Sequence, residues 1–331
     1  MHSDLMTYKI NIQQLILCIF WIIIIVSNTF FVYAEDTIKP KNDSIKNQKV
    51  WKFKFIYQLT GTQTSFVNWN AGGRNNLSLI GTISTGNYYS KGNTKWSTDL
   101  ILALGGIRYF DNIIGNPLQK TDDKIDFSSI FGQKVSNFLF FSLNSGFRTQ
   151  ILDGFNLPND SVRVSTFLAP GYVNLAFGMD YIRNDDFSIF ASPFAFKGTI
   201  VRDQNLANSG AFGVDKAILD SQGNIVSKGR NFREEYGAYL KIKWNKSLMK
   251  NIDLKSRFEL FSNYTDKPQN IDVNAEILLL FKVNKLFSAT TQFTLIYDDD
   301  IKIKDRFGKT GPRTQFKSVL GIGLYYKMEN R

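Results

Sequence analysis

Three runs in the C-terminal part of the chain carry charge on every second residue. Asp253, Lys255, Arg257 and Glu259 alternate with Ile252, Leu254, Ser256 and Phe258, while Asp272, Asn274 and Glu276 alternate with Ile271, Val273 and Ala275. Lys241 and Lys243 sit likewise between Leu240, Ile242 and Trp244. A two-residue period places each set on one face of a β-strand. Three chemistries are open to such a face. Mixed charge can line an aqueous path; Lys and Arg opposite Glu and Asp on neighbouring strands can instead neutralise one another as cross-strand pairs. Glu259 and Glu276 could also act as a general acid and base. The triplet Asp298, Asp299, Asp300 offers oxygen ligands for Ca²⁺, but without the spaced ligand set of a cation-binding loop.

Composition narrows these options. The chain has 331 residues, with one histidine, His2, and one cysteine, Cys18, both within the first 34. If that segment is removed, no histidine triad, thiolate nucleophile or Cys/His metal site can be built. No catalytic, cofactor-binding or metal-binding residues are therefore expected, and no cofactor. The net charge of +11 remains after removal, because Lys9 and Asp4 cancel. In an exported protein such charge points to anionic lipid headgroups rather than nucleic acid.

The first 34 residues predict export. A polar start with Lys9 precedes the apolar run Leu15 to Ile25, and Val32, Tyr33, Ala34 supply a small-residue ending, so a signal peptide over residues 1–34 with cleavage after Ala34 is expected. Residues 35–49 are polar and aperiodic and read as a flexible linker. From residue 50 to 331 the pattern is that of strands. Ile271 to Val283 and Phe287 to Tyr297 both carry their apolar residues at odd positions, so directly paired residues must have an even sum. A three-residue connection, Asn284, Lys285, Leu286, satisfies this. Strands of this length suit a bilayer, and the mean hydropathy of -0.18 is no objection, because lipid-facing and lumen-facing residues alternate.

Extending the pattern along the chain gives further strands from Trp51, Leu77, Trp96, Ile125, Leu139, Phe167, Phe187, Tyr236, Ile252 and Phe316. Turns are expected at Gly86 to Asn93 and Asn184 to Asp186, a polar loop at Asp111 to Lys124, and longer loops at Leu152 to Thr166, Arg202 to Asn231 and Asp298 to Thr314. Pro193 predicts a bulge in the seventh strand, and Pro170 raises the same expectation in the sixth. The fold class is all-β: an antiparallel up-and-down transmembrane β-barrel of about 12 strands, 10 to 14 on pattern alone. Trp51, Trp96, Trp244, Tyr264, Tyr297 and Tyr326 fall near strand ends, where aromatic girdles belong.

Two stretches resemble a known family. Asn68, Trp69, Ala71, Gly72, Gly73 and Asn75 resemble the NWxAGG motif of DUF3078, a Bacteroidota family of unknown function. Ser192, Pro193, Lys197, Thr199, Ile200 and Val201, followed by Gly210, Ala211, Phe212, Gly213 and Val214, resemble its second signature. The resemblance implies an outer-membrane β-barrel without assigned activity, spanning Trp51 to Met328.

The expected location is thus the outer membrane of a Gram-negative bacterium, with outer-membrane lipid, lipopolysaccharide and the barrel-assembly machinery as partners and no nucleic acid. The expected role is a porin-like or small-solute channel, or alternatively a closed barrel acting through its external loops. No enzymatic activity is expected, and Lys241, Lys243, Lys255, Arg257, Glu259, Asp272, Asn274 and Glu276 are the candidate lumen residues.

Overall fold

The computed structural model describes residues 50–65, 75–110, 118–155, 161–304 and 309–330. The expected signal peptide, the linker and residues 68–73 of the first motif lie outside the described residues; Asn75 lies at the entry to a strand.

Twelve long strands form the fold: β1 (Trp51–Thr64), β2 (Asn76–Lys91), β3 (Thr94–Tyr109), β4 (Gln119–Lys134), β5 (Leu139–Thr149), β6 (Gly171–Asn184), β7 (Phe187–Ile200), β8 (Phe232–Met249), β9 (Ile252–Asn263), β10 (Ile271–Lys282), β11 (Phe287–Tyr297) and β12 (Gln315–Glu329). Each pairs antiparallel with its neighbour in sequence, and β12 closes on β1, with Tyr57 opposite Tyr326. This is an up-and-down closed barrel, which leaves no unpaired edge. Between β10 and β11 the register pairs Val273 with Tyr297 and Phe281 with Ala289, the even sum that the alternation requires. The turn Asn284 to Leu286 is closed by the Val283 N–H donating to the Phe287 carbonyl at 3.0 Å. The Asn284 side chain accepts from the N–H groups of Leu286 and Phe287 at 2.8 and 2.7 Å.

Three boundaries differ from the sequence reading. The turn expected over Gly86 to Asn93 is only Gly92 and Asn93, with Gly92 at φ 58°; β2 continues to Lys91 because Tyr88 and Tyr89 pair with Ser97 and Trp96. Gln119 to Lys124 belong to β4 rather than a polar loop: Asp122 and Lys124 face the lumen beside Asp126, while Lys120, opposite Gly106 beyond a shift in the ladder, pairs with Asp123 at 3.1 Å. The sixth strand begins at Gly171, not Phe167. Leu168 has φ 56°, and Thr166 and Ala169 close a turn of their own, so Pro170 lies ahead of the ladder. The bulge at Pro193 is present: the pairing of β7 shifts there against both β6 and β8.

Connections alternate in kind. Those after β2, β4, β6, β8 and β10 are tight turns, whereas those after β5, β7 and β11 carry small elements of their own. Gly154–Phe155 pairs with Arg163–Ser165, Ile218–Leu219 with Ile225–Ser227, and Lys302–Lys304 with Thr310–Pro312, and the short helix α1 (Gln204–Asn208) follows β7. Asp203 caps α1, accepting from the N–H groups of Asn205 and Leu206.

The barrel is apolar outside and polar inside. Phe131, Phe141, Leu143, Phe177, Phe194, Trp244, Phe316, Leu320 and Ile322 all stand exposed on its outer face, whereas Asp126, Ser128, Asn144, Asp180, Glu235 and Lys241 are buried within. Soluble monomers rarely expose an apolar surface of this extent, but a lipid-facing band requires one. At the turn side Trp51 packs against Tyr89 at 5.0 Å and edge-on to Trp96 at 6.0 Å between ring centroids, the arrangement of an interfacial girdle.

Candidate functional site

Lumen-facing positions of β4, β5, β8, β9 and β10 converge in a belt of charges across the barrel. Arg257 lies directly opposite Glu276 in the β9–β10 ladder, and Lys241 opposite Glu259 in β8–β9. These are the cross-strand pairs that alternation allows, at 2.8 and 3.6 Å. The far wall completes them. Asp126 of β4 accepts from Arg257 at 2.7 Å and from Arg148 of β5 at 3.2 Å, while Lys124 donates to Glu276 at 2.7 Å. Arg148 also reaches Glu259 at 3.6 Å, and Asn274 donates to Glu259 at 2.9 Å. Lys241 reaches Ser128 at 3.4 Å. Four cations (Lys124, Arg148, Lys241, Arg257) thus meet three carboxylates (Asp126, Glu259, Glu276), and the pairs span the lumen instead of only running round its wall.

A second network closes the loop side. Lys197 of β7 binds Asp272 at 2.6 Å, Asp298 at 3.0 Å and Glu235 at 3.5 Å. Arg233 joins Glu235 at 3.1 Å and also pairs with Asp300, and it donates to the Gly213 carbonyl at 3.2 Å. Asp299 accepts from Asn270 at 2.6 Å and from the Tyr297 hydroxyl at 3.3 Å. The cavity left between Glu235, Asn263, Asp272 and Asp299 measures about 10 Å³, room for one water. The aspartate triplet is therefore occupied by cations and amides of the protein itself, and among the described residues no group of three or more potential ligands is placed to hold a metal ion.

All eight candidate lumen residues face inward, but they do not form one site. Lys241, Arg257, Glu259, Asn274 and Glu276 share the central belt; Asp272 belongs to the loop-side network. Lys243 pairs with Asp99 of β3 at 3.4 Å, nearer the turns, and Lys255 joins neither network. Lys124, Asp126 and Arg148 were not identifiable as belt members from sequence. Their own strands alternate, yet nothing local to β4 or β5 states that they meet β9 across the lumen.

The second family-like signature has a structural account. At the bulge the Ser192 hydroxyl lies 2.8 Å from the carbonyls of both Phe177 and Phe194, either of which can take its single proton, and accepts from the Phe194 N–H at 3.1 Å. Tyr264 donates to the Pro193 carbonyl at 3.1 Å. A ladder interrupted within a lipid-facing wall must satisfy its freed groups internally, and these two side chains do so. Gly210, Phe212 and Gly213 all have positive φ, of 73°, 59° and 82°. The turn they make offers the Gly213 carbonyl to Arg233 and lets Phe212 pack on Ala169, Val201, Ala207 and Val214, a small core shared by the loops after β5 and β7. An ion pair between Arg163 and Asp203 at 3.1 Å ties the same two loops.

Residues 62–155 match the profile of the family described as "Protein of unknown function (DUF3078)", so the chain resembles that family over this span, which includes the first motif and ends before the second. No curated protein matches. Among solved structures, an outer membrane channel from Pseudomonas putida F1 is similar at 10% identity over 87% of this chain and 100% of that one, with a TM-score of 0.37. The NanC porin is similar at 6% identity over 81% and 98%, with a TM-score of 0.35. The translocator domain of the autotransporter NalP from Neisseria meningitidis is similar at 12% over 85% and 89%, with a TM-score of 0.28. At these scores the likenesses add nothing to what the closed strand ladder shows.

Proposed function

We propose that the protein is an outer-membrane β-barrel of porin-like kind, a small-solute pathway whose narrowest point is the ion-pair belt of Arg257, Asp126, Glu276 and Lys124. The observation that carries this reading is the inversion of the fold. An apolar band faces outward and charged groups from opposite walls meet inside. Lumen charges tune selectivity in such barrels, and here they also narrow the passage. Glu259 and Glu276 are each held by Arg257 and a lysine, so that each carboxylate is engaged by cations of the belt instead of facing the other as an acid–base pair. A non-enzymatic role is the reading this favours.

Export through a leader cleaved after Ala34, insertion by barrel-assembly machinery and contact of the basic loop segment Lys302 to Arg313 with lipopolysaccharide phosphates belong to the same proposal. A second reading, a closed barrel working through its loops, is favoured by one observation: the loop-side network and the shared loop core tie the loops after β7 and β11 to lumen-facing cations and the loops after β5 and β7 to each other. Conductance across a planar bilayer separates the two. Discrete steps support the pathway, and an inserted, heat-modifiable barrel that stays silent supports the closed barrel.

A further inference from the structure

Charge in the lumen is distributed unevenly along its axis. The loop side is acidic, with Glu235, Asp272, Asp298 and Asp300 against Lys197 and Arg233. The turn side is basic. Lys54 of β1, Lys255 of β9, Lys282 of β10 and Lys327 of β12 all lie on lumen-facing positions. Lys54 shares its face with Ile56 and Thr60, both buried; Lys327 stands opposite Ile56, Lys255 opposite Leu278, and Lys282 opposite the buried Ser288.

The charges of Lys54, Lys282 and Lys327 all bear on Lys255, opposed among near neighbours by Asp253. Two of the four lysines are already paired, Lys282 with Asp253 at 2.5 Å and Lys327 with Glu329 at 2.7 Å. Among the described residues Lys54 and Lys255 make neither an ion pair nor a side-chain hydrogen bond. Asp253 and Glu329 are thus taken up by Lys282 and Lys327, and Asp99, the other carboxylate whose charge reaches Lys54, is paired with Lys243, so that Lys54 and Lys255 are left without a direct partner on the lumen face. Like charges so placed repel, and a fold that leaves two of these ammonium groups without a directly paired carboxylate is complementary to an anion supplied from solution.

We propose that the turn-side lumen is a binding site for a small oxyanion, a phosphate or carboxylate group held between Lys54 and Lys255. The site rests on the reading of the lumen as a solute pathway and names its solute class. Lys282 and Lys327 set the surrounding potential, and the Tyr325 hydroxyl stands on the same face as Lys327, two residues away. The central belt, with its own carboxylates matched to cations, then separates an anion-collecting chamber from an acidic mouth.

The test is calorimetric titration of the full barrel, extracted from outer membranes in a zwitterionic detergent, with inorganic phosphate replacing chloride at constant ionic strength. Saturable binding of one phosphate per barrel is expected. Lys255→Gln and Lys54→Gln should each weaken it about tenfold or more, as loss of a charge-assisted bond does. Lys267→Gln, at the loop side, should leave it unchanged, and heat-dependent gel mobility shows that each variant is folded. Absence of saturable binding, or binding in Lys54→Gln and Lys255→Gln equal to that of the wild type, overturns the proposal. The readout does not depend on conductance, so a barrel that binds phosphate but never conducts would sink the pathway reading and leave the site standing.

Discussion

Arg257 is the residue through which the central belt is most tightly connected, and replacing it with methionine is the sharpest structural perturbation available. Its guanidinium makes two charge-assisted hydrogen bonds, 2.7 Å to Asp126 and 2.8 Å to Glu276, with Glu259 at 3.9 Å. Each such bond is worth about 1.5–3 kcal/mol. Methionine keeps most of the stem but leaves Asp126 with Arg148 and Lys124, and Glu276 with Lys124. Removing one partner from a largely buried network costs about 3–5 kcal/mol, and water entering from the lumen holds the loss for Arg257→Met to the lower end of that range. Asp126→Asn frees Arg257, Arg148 and Lys124 from their shared acceptor and should cost about 2–4 kcal/mol for the same reason. Since the two residues share a contact, the double variant should be less destabilised than the sum by about 1.5–3 kcal/mol. Equilibrium urea unfolding in micelles, followed by tryptophan fluorescence, measures all three. A loss below about 1 kcal/mol for Arg257→Met, the value of an exposed pair, would refute the belt as a desolvated network. So would additivity of the two substitutions to within about 0.5 kcal/mol.

Ser192→Ala should lower stability by about 2–3 kcal/mol in the same unfolding assay, because the one donated and one accepted hydrogen bond of its hydroxyl at the bulge then have no replacement within the wall; a neutral outcome would mean that water or a lipid headgroup reaches the bulge. Trp51 and Trp96 stand outward at the turn-side girdle, 47% and 42% exposed, so brominated lipids should quench them strongly; insensitivity to the bromines would put the edge of the membrane band away from these two rings.

Much of the architecture can be read from the chain, and the reasons are local. Alternation in Ile271 to Val283 and Phe287 to Tyr297 states strand, facing and register together, because a one-residue slip would send Glu276 and Lys282 into lipid. Pro193 marks a bulge because it cannot donate to a ladder. Where the reading failed, local composition imitated a loop: Asp122 and Lys124 look solvated but stand on the lumen face of β4, paired with Lys317 and with Asp126 and Glu276. Gly86 looked like a turn yet lies in β2, while the reversal is made six residues later at Gly92.

The belt was only half legible. Arg257 opposite Glu276 follows from register, since neighbouring strands are neighbours in sequence. Contact of Arg257 with Asp126 does not, because it depends on how far the barrel's diameter brings opposite walls together. The bond from Arg233 to the Gly213 carbonyl depends likewise on a loop folding inward over the mouth, and Gly210 and Gly213 signal only that the chain turns sharply there.

Single-barrel conductance in planar bilayers, wild type against Arg257→Ala with Glu276→Ala, tests the central claim most directly. Small discrete steps are expected for the wild type, and clearly larger ones once the pair that narrows the lumen is removed. Steps of equal size in both proteins would place the constriction elsewhere, and silence in both, with insertion verified, would contradict a solute pathway through this barrel.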